Sequence, residues 1–167
     1  MMKTKRKYLP PTHLLSCPAR LLVLALMVSV ASLVQADEAR YLLQTSVYTT
    51  HYNPKPEHNN KQELVALEYA REDDWLVGGT TFLNSFGQRS VYAYAGREFD
   101  LSGPFYSKLT GGLLHGYRGE YQDKIPLNQL GVAPGLIPSV GVRAGAFSAE
   151  VVFLGAAALM VTSGVRF

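Results

Sequence analysis

The sequence predicts an all-β protein: an eight-stranded antiparallel transmembrane β-barrel following a cleaved signal peptide. Three observations predict it. After residue 37 the chain falls into short segments that alternate apolar and polar positions and are separated by turn signals. The segments are even in number and about ten residues long, the length a tilted strand needs to cross a bilayer. The last segment ends on an aromatic residue, Phe167, in the manner of the assembly signal of outer-membrane proteins.

Residues 1–36 read as a secretory signal peptide. Lys3, Lys5, Arg6 and Lys7 form a basic start, Leu21 to Val34 an apolar run, and Val34 and Ala36 the small residues before a cut at Asp37. The apolar run is short for a membrane-spanning helix. Domain organisation follows, with the signal at 1–36 and the barrel at 37–167. The whole chain carries 16 Lys+Arg against 13 Asp+Glu. Five of those bases, and none of the acids, lie in the signal, so the remainder is mildly acidic. Its charge gives no reason to expect nucleic acid as a partner. Cys17, the only cysteine, leaves with the signal, which excludes disulfides and thiol chemistry.

The strands are expected in the following order. Tyr41–Tyr52 is the first, closed by the proline-broken loop Asn53–Asn60. Glu63–Ala70 is the second and Trp75–Asn84 the third, followed by the SFGQ turn. Ser90–Phe99 alternates cleanly, with Val91, Ala93, Ala95 and Phe99 on one face and Tyr92, Tyr94, Gly96 and Glu98 on the other. Phe105–Tyr117, Gly135–Val142, Ala146–Leu154 and Ala157–Phe167 complete the set. Two rival folds are weaker. Glu150 and the GAAA turn interrupt any transmembrane helix over Gly145–Val165. A soluble lipocalin-like barrel leaves the terminal aromatic and the outward apolar positions unexplained.

Chain termini and short turns of such barrels lie on the periplasmic side. His51 and the Asn84–Ser85 pair end outward-running strands, so all three are expected at the external rim. A histidine there can take a proton near neutral pH. A serine can serve as nucleophile, or as a donor to a developing oxyanion. Asn84 can orient His51 or bind the carbonyl oxygen through its amide. Each residue alone is more often turn chemistry than catalysis. His58, in the polar loop, is expected to be solvated.

Several stretches in order resemble one family. They are TTHY at His51, W-x6-F-x-N-S from Trp75 to Ser85, AYAGRE from Ala93 to Glu98, KIPLNQLGVAPGLIPSVGV, and the final SGVRF. Together they are similar to the outer-membrane lipid A palmitoyltransferases over most of residues 45–167. The resemblance implies an acyltransferase that moves a palmitoyl chain from a phospholipid to lipid A, the lipid of lipopolysaccharide. It implies His51, Ser85 and Asn84 as catalytic residues, with Asn84 where the family has aspartate. It implies an acyl pocket at Gly96, Tyr92 and Tyr94, floored by Gly96, so that Gly96→Met should shorten the transferred chain. It also implies lateral lipid access where Pro126, Pro134 and Pro138 break the wall. The family's amphipathic helix before the first strand has no counterpart, since only DEAR separates the expected cut from Tyr41.

No metal or cofactor is expected. The expected partners are lipid A, phospholipid, the outer-membrane bilayer of a Gram-negative bacterium and the barrel-assembly machinery, with the barrel a monomer. Two other functions stay open. One is a non-catalytic small barrel with a lipid-binding, structural or adhesive role. The other is a lipid A deacylase, although those enzymes carry their histidine and serine close together on one strand. An eight-stranded barrel is too narrow for a porin.

Overall fold

The computed structural model describes residues 40–167; the expected signal peptide lies outside the described residues. Eight strands run β1 Tyr41–His51, β2 Val65–Ala70, β3 Trp75–Leu83, β4 Arg89–Asp100, β5 Phe105–His115, β6 Val132–Ala144, β7 Phe147–Leu154 and β8 Ala158–Arg166. Each pairs antiparallel with its sequence neighbour, and β8 returns to β1 to close the barrel. Closure leaves no open sheet edge around the ring, which is the condition for strands to stand in lipid.

Most strand ends lie within a residue or two of the reading of the sequence, and two starts differ for a physical reason. β2 starts at Val65 instead of Glu63, because Glu63 takes a left-handed backbone (φ 47°) that ends the ladder. β6 starts at Val132, three residues early, and carries Pro134 and Pro138 within it. Proline is tolerated because the outer half of β6 bonds on one side only. All of Val132–Pro138 pairs with β5, but the ladder to β7 covers only Ser139–Ala144. The β1–β2 ladder is likewise confined to Tyr41–Thr45 against Val65–Tyr69. The wall therefore has two weak seams, both in its outer half.

Alternation sorts side chains into two environments. Outward positions include Val65, Leu67, Val77, Val91, Leu109, Leu113, Leu136 and Val140, all exposed apolar residues. Inward positions hold most of the buried polar residues. This inversion of the soluble pattern matches a barrel with lipid outside. Short connections at 71–74, 101–104 and 145–146 share one end with both strand termini. That end carries a girdle of Tyr41, Trp75, Phe99, Phe105, Phe147 and Phe167, as expected at a membrane–water interface. The opposite end carries the long loops 52–64 and 116–131, the second containing a 3-10 helix, Gly119–Lys124.

A polar septum crosses the lumen. Lys108 Nζ bonds both Glu68 and Glu150 at 2.7 Å. Glu150 also accepts from Gln44 (2.9 Å), Tyr106 (2.9 Å) and Ser139 (3.0 Å), and Glu68 accepts from Tyr94 (2.9 Å). Gln44 reaches on to Thr162 at 3.3 Å. Seven strands contribute side chains; β3 contributes Gly78, where a Cβ would fall 2.7 Å from the Tyr94 ring, so its absence makes room for that ring. Nearer the short-turn end a second layer joins Glu98 to Arg143 and, at 2.8 Å, to Arg166. Tyr106 links the layers, its hydroxyl on Glu150 and its ring beneath both guanidinium groups. Buried charges are tolerable here because each is paired and hydrogen-bonded.

Candidate functional site

β1 ends on His51 and β3 ends one residue before Asn84, both at the long-loop end. The turn between β3 and β4 is built on Asn84, which is almost wholly buried. Its Oδ1 accepts the backbone N–H of Phe86 (2.9 Å) and Gln88 (3.0 Å), and its Nδ2 donates to Ser90 Oγ (3.1 Å). This is the ordinary way an asparagine side chain folds a turn. The turn presents Ser85, whose Oγ lies 2.8 Å from His51 Nε2. The other ring nitrogen, Nδ1, lies 2.8 Å from Asn60 Oδ1.

The arrangement corrects the expectation for Asn84. Its Oδ1 and one Nδ2–H are engaged within the turn, and the side chain that bonds His51 Nδ1 is Asn60 rather than Asn84. Because Asn60 Oδ1 can only accept, it holds the proton on Nδ1 and leaves Nε2 basic toward the Ser85 hydroxyl. Asn60 is placed by its neighbour, since Asn59 N donates to Ser85 O at 2.7 Å and fastens loop 52–64 onto the β3–β4 turn. His58 is another correction. Instead of standing in solvent it packs on His51, ring centroids 4.3 Å apart, and on Phe86. Burial, with the neighbouring His51, lowers its pKa below the ordinary imidazole value. Tyr117 sits beside Ser85, with its pKa raised by burial, an effect partly offset by hydrogen bonding to Ser85. Asn60 and His58 carried no sequence signal beyond lying in a polar loop, and Tyr117 was read as the end of the fifth strand, which stops at His115.

A cavity of about 1160 Å³ runs from this rim into the barrel as far as the septum. That is above the roughly 300–1,000 Å³ of common small-molecule sites. Its upper wall is apolar, with Leu64, Phe82, Val152, Leu154 and Met160 packed around β2 and β8. Tyr92 and Tyr94 line it, as expected of the acyl pocket, and stack on each other at 4.9 Å. Gly96 does not line it, which corrects the expectation that it forms the floor. A Cβ there would fall 2.5 Å from the backbone oxygen of Leu109, so Gly96 permits close packing of β4 on β5. Gly96→Met is therefore expected to destabilise the barrel by about 1–3 kcal/mol through overpacking. A lowered denaturation midpoint, with no shortening of any bound chain, is the result to look for. Pro126 and Pro134 line the cavity, Pro126 from the loop rather than the wall. Pro138 is outside it, at the point where the β6–β7 ladder begins.

A closed barrel of eight strands, apolar outside and polar within, is a small outer-membrane β-barrel protein. No protein-family model matches the chain, and no curated protein sequence matches it. Among solved structures it is similar in fold to a de novo designed transmembrane β-barrel, at 9% identity and TM-score 0.48, covering 80% of this chain and 98% of that one. It is also similar to the Yersinia pestis outer membrane protein Ail in a phospholipid bilayer nanodisc, at 16% identity and TM-score 0.44, covering 78% and 100%. A second structure is of Ail, the attachment invasion locus protein, in complex with the heparin analogue sucrose octasulfate. It matches at 14% identity and TM-score 0.43, covering 77% and 97%. These are likenesses of architecture, and they carry no acyltransferase chemistry with them.

Proposed function

We propose that this barrel is an outer-membrane acyltransferase that takes a fatty acyl group from a phospholipid and passes it to lipid A. The observation that carries the reading is the hydrogen-bonded chain Ser85–His51–Asn60 at the mouth of a deep, partly apolar cavity. Nucleophile, base and orienting group stand at working distances. An acyl tail in the cavity holds its ester at the rim beside Ser85. The seam between β6 and β7, with Pro134 and Leu136 on its border, gives a tail lying in the bilayer a sideways route inward.

In the first half-reaction His51 Nε2 takes the Ser85 hydroxyl proton while Ser85 Oγ attacks the ester carbonyl. The Tyr117 hydroxyl, beside Ser85, would donate to the resulting oxyanion. The carbon–oxygen bond to the glycerol breaks, His51 returns the proton to the leaving alkoxide, and the acyl group stays on Ser85. A lipid A hydroxyl then gives its proton to His51 and attacks the acyl-enzyme; the bond to Ser85 Oγ breaks and His51 returns the proton to Ser85. Water in that second role would make the protein a deacylase. The likeness to other small barrels concerns fold alone, and it sits as readily with a non-catalytic lipid-binding, structural or adhesive role.

Intact-mass spectrometry of the purified barrel incubated with phospholipid tests the reading. The expected result is an adduct of one acyl group that maps to Ser85 and is absent from Ser85→Ala. A wild-type protein that releases free fatty acid but never modifies lipid A would establish the deacylase. No adduct and no product would leave a binding protein.

A further inference from the structure

Loop 116–131, between β5 and β6, faces two ways. Ile125 and Pro126 line the cavity. Leu127 and Leu130 do not; they are 73% and 94% exposed. No other large apolar side chain among the described residues exceeds 67%.

That exposure is built in. A slack loop would fold two leucines back onto the protein, because each gains free energy by leaving water. This loop is clasped. Asn128, 3% exposed, donates through Nδ2 to Tyr117 O (3.2 Å) and Gln122 O (2.9 Å). Gln122 Nε2 returns bonds to Asn128 O and Gln129 O, both 3.0 Å, and Gly131 N closes a turn on Asn128 O at 2.9 Å. Leu127 is also held at φ 63°, a left-handed backbone that leucine rarely adopts. Such strain persists only where the surroundings enforce it.

The loop is tied to the outer side of the wall. Gly131 O accepts from the His115 ring at 2.7 Å, and His115 follows Leu109 and Leu113 at alternate, outward positions of β5. Val132 then begins an outward run on β6 with Pro134, Leu136, Pro138 and Val140. From Val142, opposite Phe105 of the aromatic girdle, to Val132 is ten residues of β6 in unbroken register with β5. At about 3.3 Å per residue that is roughly 33 Å of strand, and a tilt of about 45° leaves about 23 Å of height. The apolar band of such barrels is about 25 Å tall. Val132 thus stands at the outer edge of the hydrocarbon, and Leu130 lies two residues beyond it.

We propose that Leu127 and Leu130 insert into the outer leaflet and anchor the β5–β6 side of the barrel there. The occupant is bilayer lipid at the boundary of headgroups and acyl chains, because the two leucines continue a wall that already faces lipid. The anchor stands above the stretch of β6 that lacks a β7 partner, and it holds the leaflet against that seam. It does not depend on the acyltransferase reading.

Trp75 is the chain's only tryptophan, so Trp75→Phe supplies a background without indole fluorescence. Leu130→Trp and, separately, Leu127→Trp are made in it and reconstituted into phosphatidylcholine nanodiscs, with folding checked by β-sheet circular dichroism. The lipid carries bromine either near the headgroup end of its acyl chains or near their methyl ends, and acrylamide is added from the water. The expected emission lies to the blue of the same variant unfolded in urea. Shallow bromines should quench it more than deep ones, and acrylamide should quench it little. Red emission quenched by acrylamide and not by bromolipid, in the variants that fold, puts the leucines in water and overturns the inference. Protection from acrylamide without quenching by either bromolipid means that protein covers the loop, a second copy or another chain, and overturns it too.

Discussion

Ser85→Ala is expected to lower acyl transfer by on the order of 10⁴-fold or more, and His51→Ala by a similar amount. The double variant should be no worse than either single one. Nucleophile and base act as a unit, so once either is gone the other has nothing to act upon. Asn60→Ala should lose less, about 10²-fold, because it frees the imidazole to turn without removing it. Asn60→Asp should keep activity, since a carboxylate accepts the same Nδ1–H. Asn84→Asp probes a different property. Asn84 Nδ2 donates to Ser90, and a carboxylate cannot, so that change should perturb the turn. Rates measured on purified protein with detergent-dispersed phospholipid and lipid A decide each case. Strictly additive losses for Ser85 and His51 would remove the catalytic pairing from the account.

The second large effect concerns stability. Lys108→Ala is expected to destabilise the barrel by about 3–5 kcal/mol, because it leaves two buried carboxylates facing each other with no cation between them. The side chains of Lys108, Glu68 and Glu150 are 2%, 7% and 3% exposed, so water cannot replace the ammonium. Lys108→Met combined with Glu68→Gln and Glu150→Gln should recover much of the loss, since the charges then disappear together. Urea midpoints in detergent micelles give the comparison. If Lys108→Ala unfolds within about 1 kcal/mol of wild type, the septum is not an interlocked ion cluster.

How much of this was legible depended on whether neighbours in sequence were neighbours in space. β4 was plain because Tyr92, Tyr94, Gly96 and Glu98 alternate with Val91, Ala93, Ala95 and Phe99, and alternation is a local property. β6 was started too late, at Gly135, because Pro134 argues against a central strand; the missing β7 partner that makes proline acceptable there is a tertiary fact. His51 and Ser85 were placed at one rim by strand parity, but Asn60 was not, because a loop residue has no parity to read. Glu68 was overlooked because its partner Lys108 lies 40 residues away, across the barrel. Gly96 was assigned to the floor by resemblance alone. Its environment, the backbone of β5, belongs to packing that no local pattern records.

Mass spectrometry of lipid A from cells producing the wild-type barrel or Ser85→Ala, with both shown to be folded in the outer membrane, tests the central claim most directly. The account predicts a mass gain of one acyl group in the wild type and none in Ser85→Ala. Identical spectra from both, with no gain over cells lacking the protein, would contradict it and leave a barrel that binds lipid without transforming it.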